Sequence, residues 1–98
     1  MSLAVQFDSN ARREFLDGVE WYERERAGLG SDFFDEVYEA LHQISVNPDL
    51  FCKFAFSTRR YVLARFPYCI VYRQVDLAIW VMAVAHTSRR PGYWKERF

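Results

Sequence analysis

Nine residues near the C-terminus of this chain bring together His86, Arg89, Arg90, Tyr93 and Trp94. An imidazole titrates near neutrality, so His86 has the chemistry of a general acid or base. The planar guanidinium groups of Arg89 and Arg90 can grip a phosphate or a carboxylate with two parallel hydrogen bonds. Tyr93 and Trp94 offer faces on which bases stack. Arg60, Arg65 and Arg73 lie upstream in apolar stretches and could add positive charge to the same surface. Each residue also has a plainer reading. His86 would cap the end of a buried strand through a backbone hydrogen bond, Trp94 would fold back and bury, and Arg65 and Arg73 would be sheet-surface charges. Tyr93 stays open between the two roles. Two histidines (His42, His86) and two widely separated cysteines (Cys52, Cys69) have no metal-ligand spacing, so neither metal nor cofactor is expected. Both cysteines read as buried, inert thiols.

The elements that must position these residues follow from periodicity. Leu3, Val5 and Phe7 alternate as a short strand. Asp8 then offers a carboxylate to the free N–H groups of a helix start. Ala11, Phe15, Val19 and Tyr22 recur at helical spacing with Leu16 beside them, and Gly28 and Gly30 interrupt the pattern. Ser31 or Asp32 is the expected cap of a second helix, whose stripe is Phe34, Val37, Leu41 and Ile44, widened by Phe33 and Tyr38. Asn47-Pro48 stops it, because the residue before a proline is pushed out of the helical region. So short a link between two helices makes an antiparallel hairpin.

Beyond Pro48 the period becomes two. Strands are expected over 61–66, 69–75 and 78–85, with turns at Pro67-Tyr68 and Asp76-Leu77. On the last strand Trp80, Met82 and Val84 are assigned to one face and Ile79, Val81 and Ala83 to the other. Both sets are apolar, which marks a central strand. Residues 51–58 read either as a short edge strand or as an aromatic-rich loop. The order is β-α-α-β-β-β, an α+β domain spanning 1–98 with the helical hairpin packed on a small, mainly antiparallel sheet.

Ninety-eight residues with 51% apolar side chains can bury a core in one domain and are too apolar for disorder. No apolar run is long enough for a membrane span and no secretory leader is visible, so the expected location is cytoplasmic. Net charge is zero, yet unevenly spread. Residues 1–50 hold four Lys/Arg against eleven Asp/Glu, a balance of −7, and residues 51–98 hold nine against two, +7. A basic half suits an anionic partner surface.

Several segments carry a resemblance to the RelE/ParE toxin superfamily of bacterial toxin–antitoxin modules. They are Phe7 leading into Ala11-Arg12-Arg13-Glu14-Phe15, Leu29-Gly30-Ser31-Asp32-Phe33, Ile44-Ser45-Val46-Asn47-Pro48, Arg59-Arg60-Tyr61-Val62-Leu63 and Phe66-Pro67-Tyr68-Cys69-Ile70-Val71-Tyr72-Arg73. The tail from Val84 to Trp94, with Ala-His-x-x-Arg-Arg-Pro-x-Tyr-Trp, resembles most specifically the ParE-like, plasmid-stabilisation branch.

The resemblance implies two alternatives. A ParE-like toxin binds DNA gyrase, inhibits growth without chemistry of its own and is neutralised by a cognate antitoxin. A RelE-like toxin is a ribosome-dependent mRNA endonuclease, for which His86, Arg89, Tyr93 and Arg60 are the catalytic candidates. A non-toxic, degenerate member is the third reading. Where RelE-like nucleases begin a strand with a catalytic arginine, this chain has Cys69, and its net charge is zero; both departures favour the binding inhibitor. The resemblance then makes Arg89, Arg90, Tyr93 and Arg65 the target-binding candidates. Trp21, Tyr22, Phe33 and Phe34 are the candidates for antitoxin contact, and a homodimer or a hetero-oligomer with the antitoxin is the expected assembly.

Overall fold

Asp8 ends a strand and begins a helix within one residue. The computed structural model describes residues 2–97, so Met1 and Phe98, the ends of the expected domain, lie outside the described residues. Strand β1 is Ala4–Phe7 and helix α1 is Ser9–Glu25; the Asp8 carboxylate accepts from Asn10 N and Ala11 N at 2.9 and 3.3 Å. This satisfies two of the four orphan donors of a helix start. Helix α2 follows as Leu29–Val46. Its cap is Gly28 in the left-handed region (φ 90°), about one helical turn earlier than a Ser31 or Asp32 cap. The reason is Glu23, whose carboxylate accepts from Gly28 N and Gly30 N and so supplies the cap from the preceding helix.

Four further strands follow: β2 Cys52–Phe54, β3 Thr58–Val62, β4 Tyr68–Val75 and β5 Ala78–His86. The ambiguous stretch 51–58 therefore contains an edge strand, and the order is β-α-α-β-β-β-β. The sheet runs β1-β5-β4-β3-β2, antiparallel except for β1, which pairs parallel with β5. The expected strand over 61–66 starts earlier and stops at Val62. Glu36 of α2 explains this: its Oε2 accepts from Ala64 N and Arg65 N and draws the chain out of the ladder. Tyr68 lies inside β4, not in the turn.

Helices α1 and α2 cover one sheet face. Ala11, Phe15, Phe33, Val37, Leu41 and Ile44 pack there on Ile70, Tyr72, Ile79, Val81 and Val84. The other face carries a second cluster, Cys69, Val71, Met82, Ala83 and Ala85, closed by Trp94, which is 2% exposed. Val84 thus belongs with Ile79 and Val81, contrary to simple alternation. Val71 and Tyr72 are neighbours on β4, yet they face Ala83 and Val81 on β5. Met82 is the extra residue of a β-bulge, and one extra residue exchanges the faces of everything after it.

Neighbouring phenylalanines divide in the same way. Phe33 is fully buried, whereas Phe34 is 41% exposed. Leu16 also faces outward. Cys69 is buried as expected, but Cys52 is exposed, because β2 is an edge strand.

Candidate functional site

The residues singled out in the tail gather at one end of the sheet. Pairing of Tyr68 with His86 closes the β4–β5 ladder, and Thr87 N donates to Pro67 O at 2.8 Å. That bond sets the start of the tail beside the β3–β4 loop, which carries Arg65. His86, Arg89, Arg90 and Arg65 therefore share one end of the molecule. Arg65 pairs with Asp32 at 3.4 Å and is exposed, as is Arg90.

His86 is a strand-end residue with a local hydrogen bond. Its Nδ1 accepts from Ser88 N at 3.1 Å and lies 2.8 Å from Ser88 Oγ. Acceptance from a backbone N–H places the neutral ring's proton on Nε2. The ring meets Tyr68 edge-on at 5.3 Å. Beside it lies a cleft of about 470 Å³, lined by Glu14, Asp17, Glu20, Trp21, Arg24 and Arg89 among others. Three carboxylates on α1 against two arginines leave this lining without the net positive charge that a phosphodiester bed needs.

Arg60 is not part of this group. It pairs with Val71, while His86 pairs with Tyr68. Val71 and Tyr68 are an odd number of residues apart on one strand, so their side chains, and those of their partners, point to opposite faces. Arg60 instead lies over the Phe54 ring at 4.4 Å, on the Trp94 side. The four nuclease candidates are thus split between the two faces of the sheet. Cys69 is buried in the second cluster, and burial pushes its thiol above the usual range, with Arg60 working the other way.

Tyr93 is committed to the body of the protein. Its hydroxyl donates to Glu14 Oε2 at 2.8 Å; burial first, and then this bond, push its phenol up from the ordinary value. Arg89 stacks over the same ring at 3.9 Å from the centroid. Arg97, which sequence reasoning passed over, donates through both terminal nitrogens to the Glu14 carboxylate at 2.9 and 3.0 Å and to Met82 O at 3.1 Å. Burial lowers the Arg97 guanidinium, but the bonds to Glu14 outweigh it and the net shift is upward. Glu14 was quoted in the sequence only as part of a motif. One signal could have found it: it lies three residues from buried Ala11 and four from buried Gly18, an acid inside an apolar stripe.

Of the residues expected to meet a partner protein, Phe33 is unavailable, being wholly buried, and Tyr22 is largely packed against Phe33, Phe66 and Tyr68. Trp21 and Phe34 are exposed at 53% and 41%. Phe34 stacks between Phe15 and Tyr38, with centroids 5.3 and 6.1 Å away, and Tyr38 is 66% exposed. These rings border a shallow apolar groove with Val5, Phe7 and Leu41 beside edge strand β1. Among the described residues no cluster of His, Cys, Asp and Glu could hold a metal, and no helix is long and apolar enough to cross a membrane.

Residues 5–91 match the family described as the ParE toxin of the type II toxin–antitoxin system parDE. No curated protein sequence matches significantly. Among solved structures, the chain is similar to one from the chromosomal ParDE TA system of P. aeruginosa, with a TM-score of 0.75 and 10% identity over 87% of this chain and 96% of that one. It is also similar to a mutant of the E. coli toxin RelE in the free state, with a TM-score of 0.68 and 18% identity over 90% of this chain and 86% of that one. At such identities the likeness to both structures is one of fold.

Proposed function

Since the chain belongs to the ParE toxin family of type II toxin–antitoxin systems, we propose that it arrests growth by binding DNA gyrase in the cytoplasm, without catalysing a reaction, and that a cognate antitoxin silences it. The observation that supports binding over RNA cleavage is the separation of Arg60 from His86 by the sheet. Cleavage of RNA needs a base at the ribose 2′-hydroxyl and cations on the same phosphate, within a few ångströms of each other. Here the imidazole lies beside carboxylates on one face and Arg60 stacks on Phe54 on the other. The exposed end with Arg65, Arg89 and Arg90 is the proposed target surface, suited to carboxylates or phosphates of a larger partner.

On this reading the antitoxin covers the apolar groove at Phe34 and Tyr38, whose exposed rings support it. An amphipathic segment that folds on binding would cover these rings and could extend the sheet at the free edge of β1. The discriminating experiment is induction in cells without antitoxin. Gyrase poisoning predicts DNA-damage signalling and filamentation with translation continuing. Prompt translational arrest with cleaved mRNA would instead assign the RelE-like activity, and unimpaired growth would assign a degenerate binding module.

A further inference from the structure

We infer that Glu14 is a positioning residue for target binding: it fixes the orientation of the C-terminal segment, and through Tyr93 the orientation of Arg89. This inference rests on the reading of the tail as the target surface. Both oxygens of one carboxylate are used. Oε1 accepts from Val84 N at 3.1 Å and from Arg97 at 2.9 Å; Oε2 accepts from Tyr93 Oη at 2.8 Å and from Arg97 at 3.0 Å. A single side chain on α1 thus ties together β5, Tyr93 and Arg97. The guanidinium of Arg89 rests on the Tyr93 ring at 3.9 Å and that of Arg97 approaches the same ring at 4.9 Å. The line of contact runs Glu14, Tyr93, Arg89.

The pair is shielded enough to matter. The side chains of Glu14 and Arg97 are 19% and 16% exposed, and Asp8 stands 4.0 Å from Arg97. An ion pair of this kind is bidentate and partly desolvated, unlike an exposed surface pair. Removing one member leaves the other charge poorly solvated. Trp94 provides a separate anchor by stacking on Phe54 at 5.4 Å within the second core cluster. The division of labour is physical. Burial of Trp94 is non-directional and holds the segment down, whereas the hydrogen bonds of Glu14 are directional and set where Arg89 points.

The test uses the full chain, purified from its antitoxin complex for amide hydrogen exchange and induced without antitoxin for growth arrest. Glu14→Gln and Arg97→Met should each raise exchange over residues 87–97 at least about tenfold, with β4 unchanged, and raise survival on induction by a similar factor. Arg97→Lys keeps a cation for Glu14 and should restore most of the arrest, which a loss of packing would not show. Antitoxin affinity, read at the Phe34 groove, should stay within about twofold of wild type. Unchanged exchange in both variants, or faster exchange with full arrest, overturns the inference. Arg89→Ala separates the two claims. Full arrest by that variant overturns the tail reading itself, while loss of arrest there and retention in Glu14→Gln overturns only the positioning role. If Glu14→Gln fails to fold, Tyr93→Phe, which keeps the ring and loses the hydroxyl, carries the same expectations.

Discussion

Val84 of β5 donates its backbone N–H to the side chain of Glu14 on α1, 70 residues earlier in the chain. A sheet residue normally finds its partner on the next strand. Here β1 pairs with β5 only as far as Val81, then turns into α1 at Asp8. The outer edge of β5 beyond that point is served by side chains: Glu14 for Val84 N–H and Arg97 for Met82 O. The Met82 bulge is what directs the Val84 side chain to the helix side while its N–H meets this carboxylate.

Deleting Met82 should therefore cost about as much as Met82→Ala, because the bulge residue is the one whose loss leaves every later face in place. Removing the extra residue restores regular alternation and leaves Val84 on the helix face and Ala83 and Ala85 on the Trp94 face, so the loss is that of one buried side chain. The expected result is cooperative thermal unfolding, followed by circular dichroism, with stability lowered by about 2–5 kcal/mol in both variants. Met82→Leu, which keeps the residue count and nearly the volume, should cost less than about 1.5 kcal/mol.

Phe33 and Phe34 should separate cleanly. Phe33 fills the core, and Phe33→Ala should cost about 3–5 kcal/mol of stability. The double variant Phe34→Ser with Tyr38→Ser should change stability by about 1 kcal/mol or less, because both rings are substantially exposed. It should weaken antitoxin binding at least about tenfold in calorimetry. Equal antitoxin affinity for this variant and wild type would remove the groove from the proposed interface.

Cys52 should react with an aromatic disulfide reagent as soon as it is added, and Cys69 only on unfolding. Exposure on an edge strand explains the first, and a buried thiol with its ionisation pushed upward explains the second. One equivalent of fast thiol per native chain is the expected count, and Cys52→Ser should abolish it.

Alkaline pH should destabilise the fold through Tyr72. Its hydroxyl donates to Pro48 O at 2.6 Å, and burial pushes the phenol up to about 12 from 10.0. The folded state thus holds this proton more tightly than the unfolded chain. The stabilising difference is complete below pH 10 and is lost as pH rises to about 12, at roughly 1.4 kcal/mol per unit. Tyr72→Phe should flatten the decline of the melting temperature across that window. Tyr93, also shifted upward, should keep a residual slope.

The helical hairpin and the meander were legible because their signals are local. Asp8 caps the first helix through atoms two and three residues away, and Pro48 stops the second by its own ring. Period-two apolar runs declared the strands over 69–75 and 78–85, and the burial of Trp94 was expected of an indole beside an apolar sheet. The start of α2 was misplaced because its cap comes from Glu23, on another helix. Arg60 was grouped with His86 because the resemblance to RelE-like nucleases asks for a cation on the preceding strand, and the sequence of each strand alone carries no information on mutual register.

From its sequence alone this chain determined its α+β class, its family resemblance and the basic, aromatic character of its tail, since composition and short-range periodicity encode these. Tertiary structure decided the rest: the parallel pairing of β1 with β5, the change of face at Met82, the split of Arg60 from His86, and the capture of Tyr93 and Arg97 by Glu14. The physical reason is range. A carboxylate finds its partners by distance in space, and the partners of Glu14 lie 70 to 83 residues away along the chain.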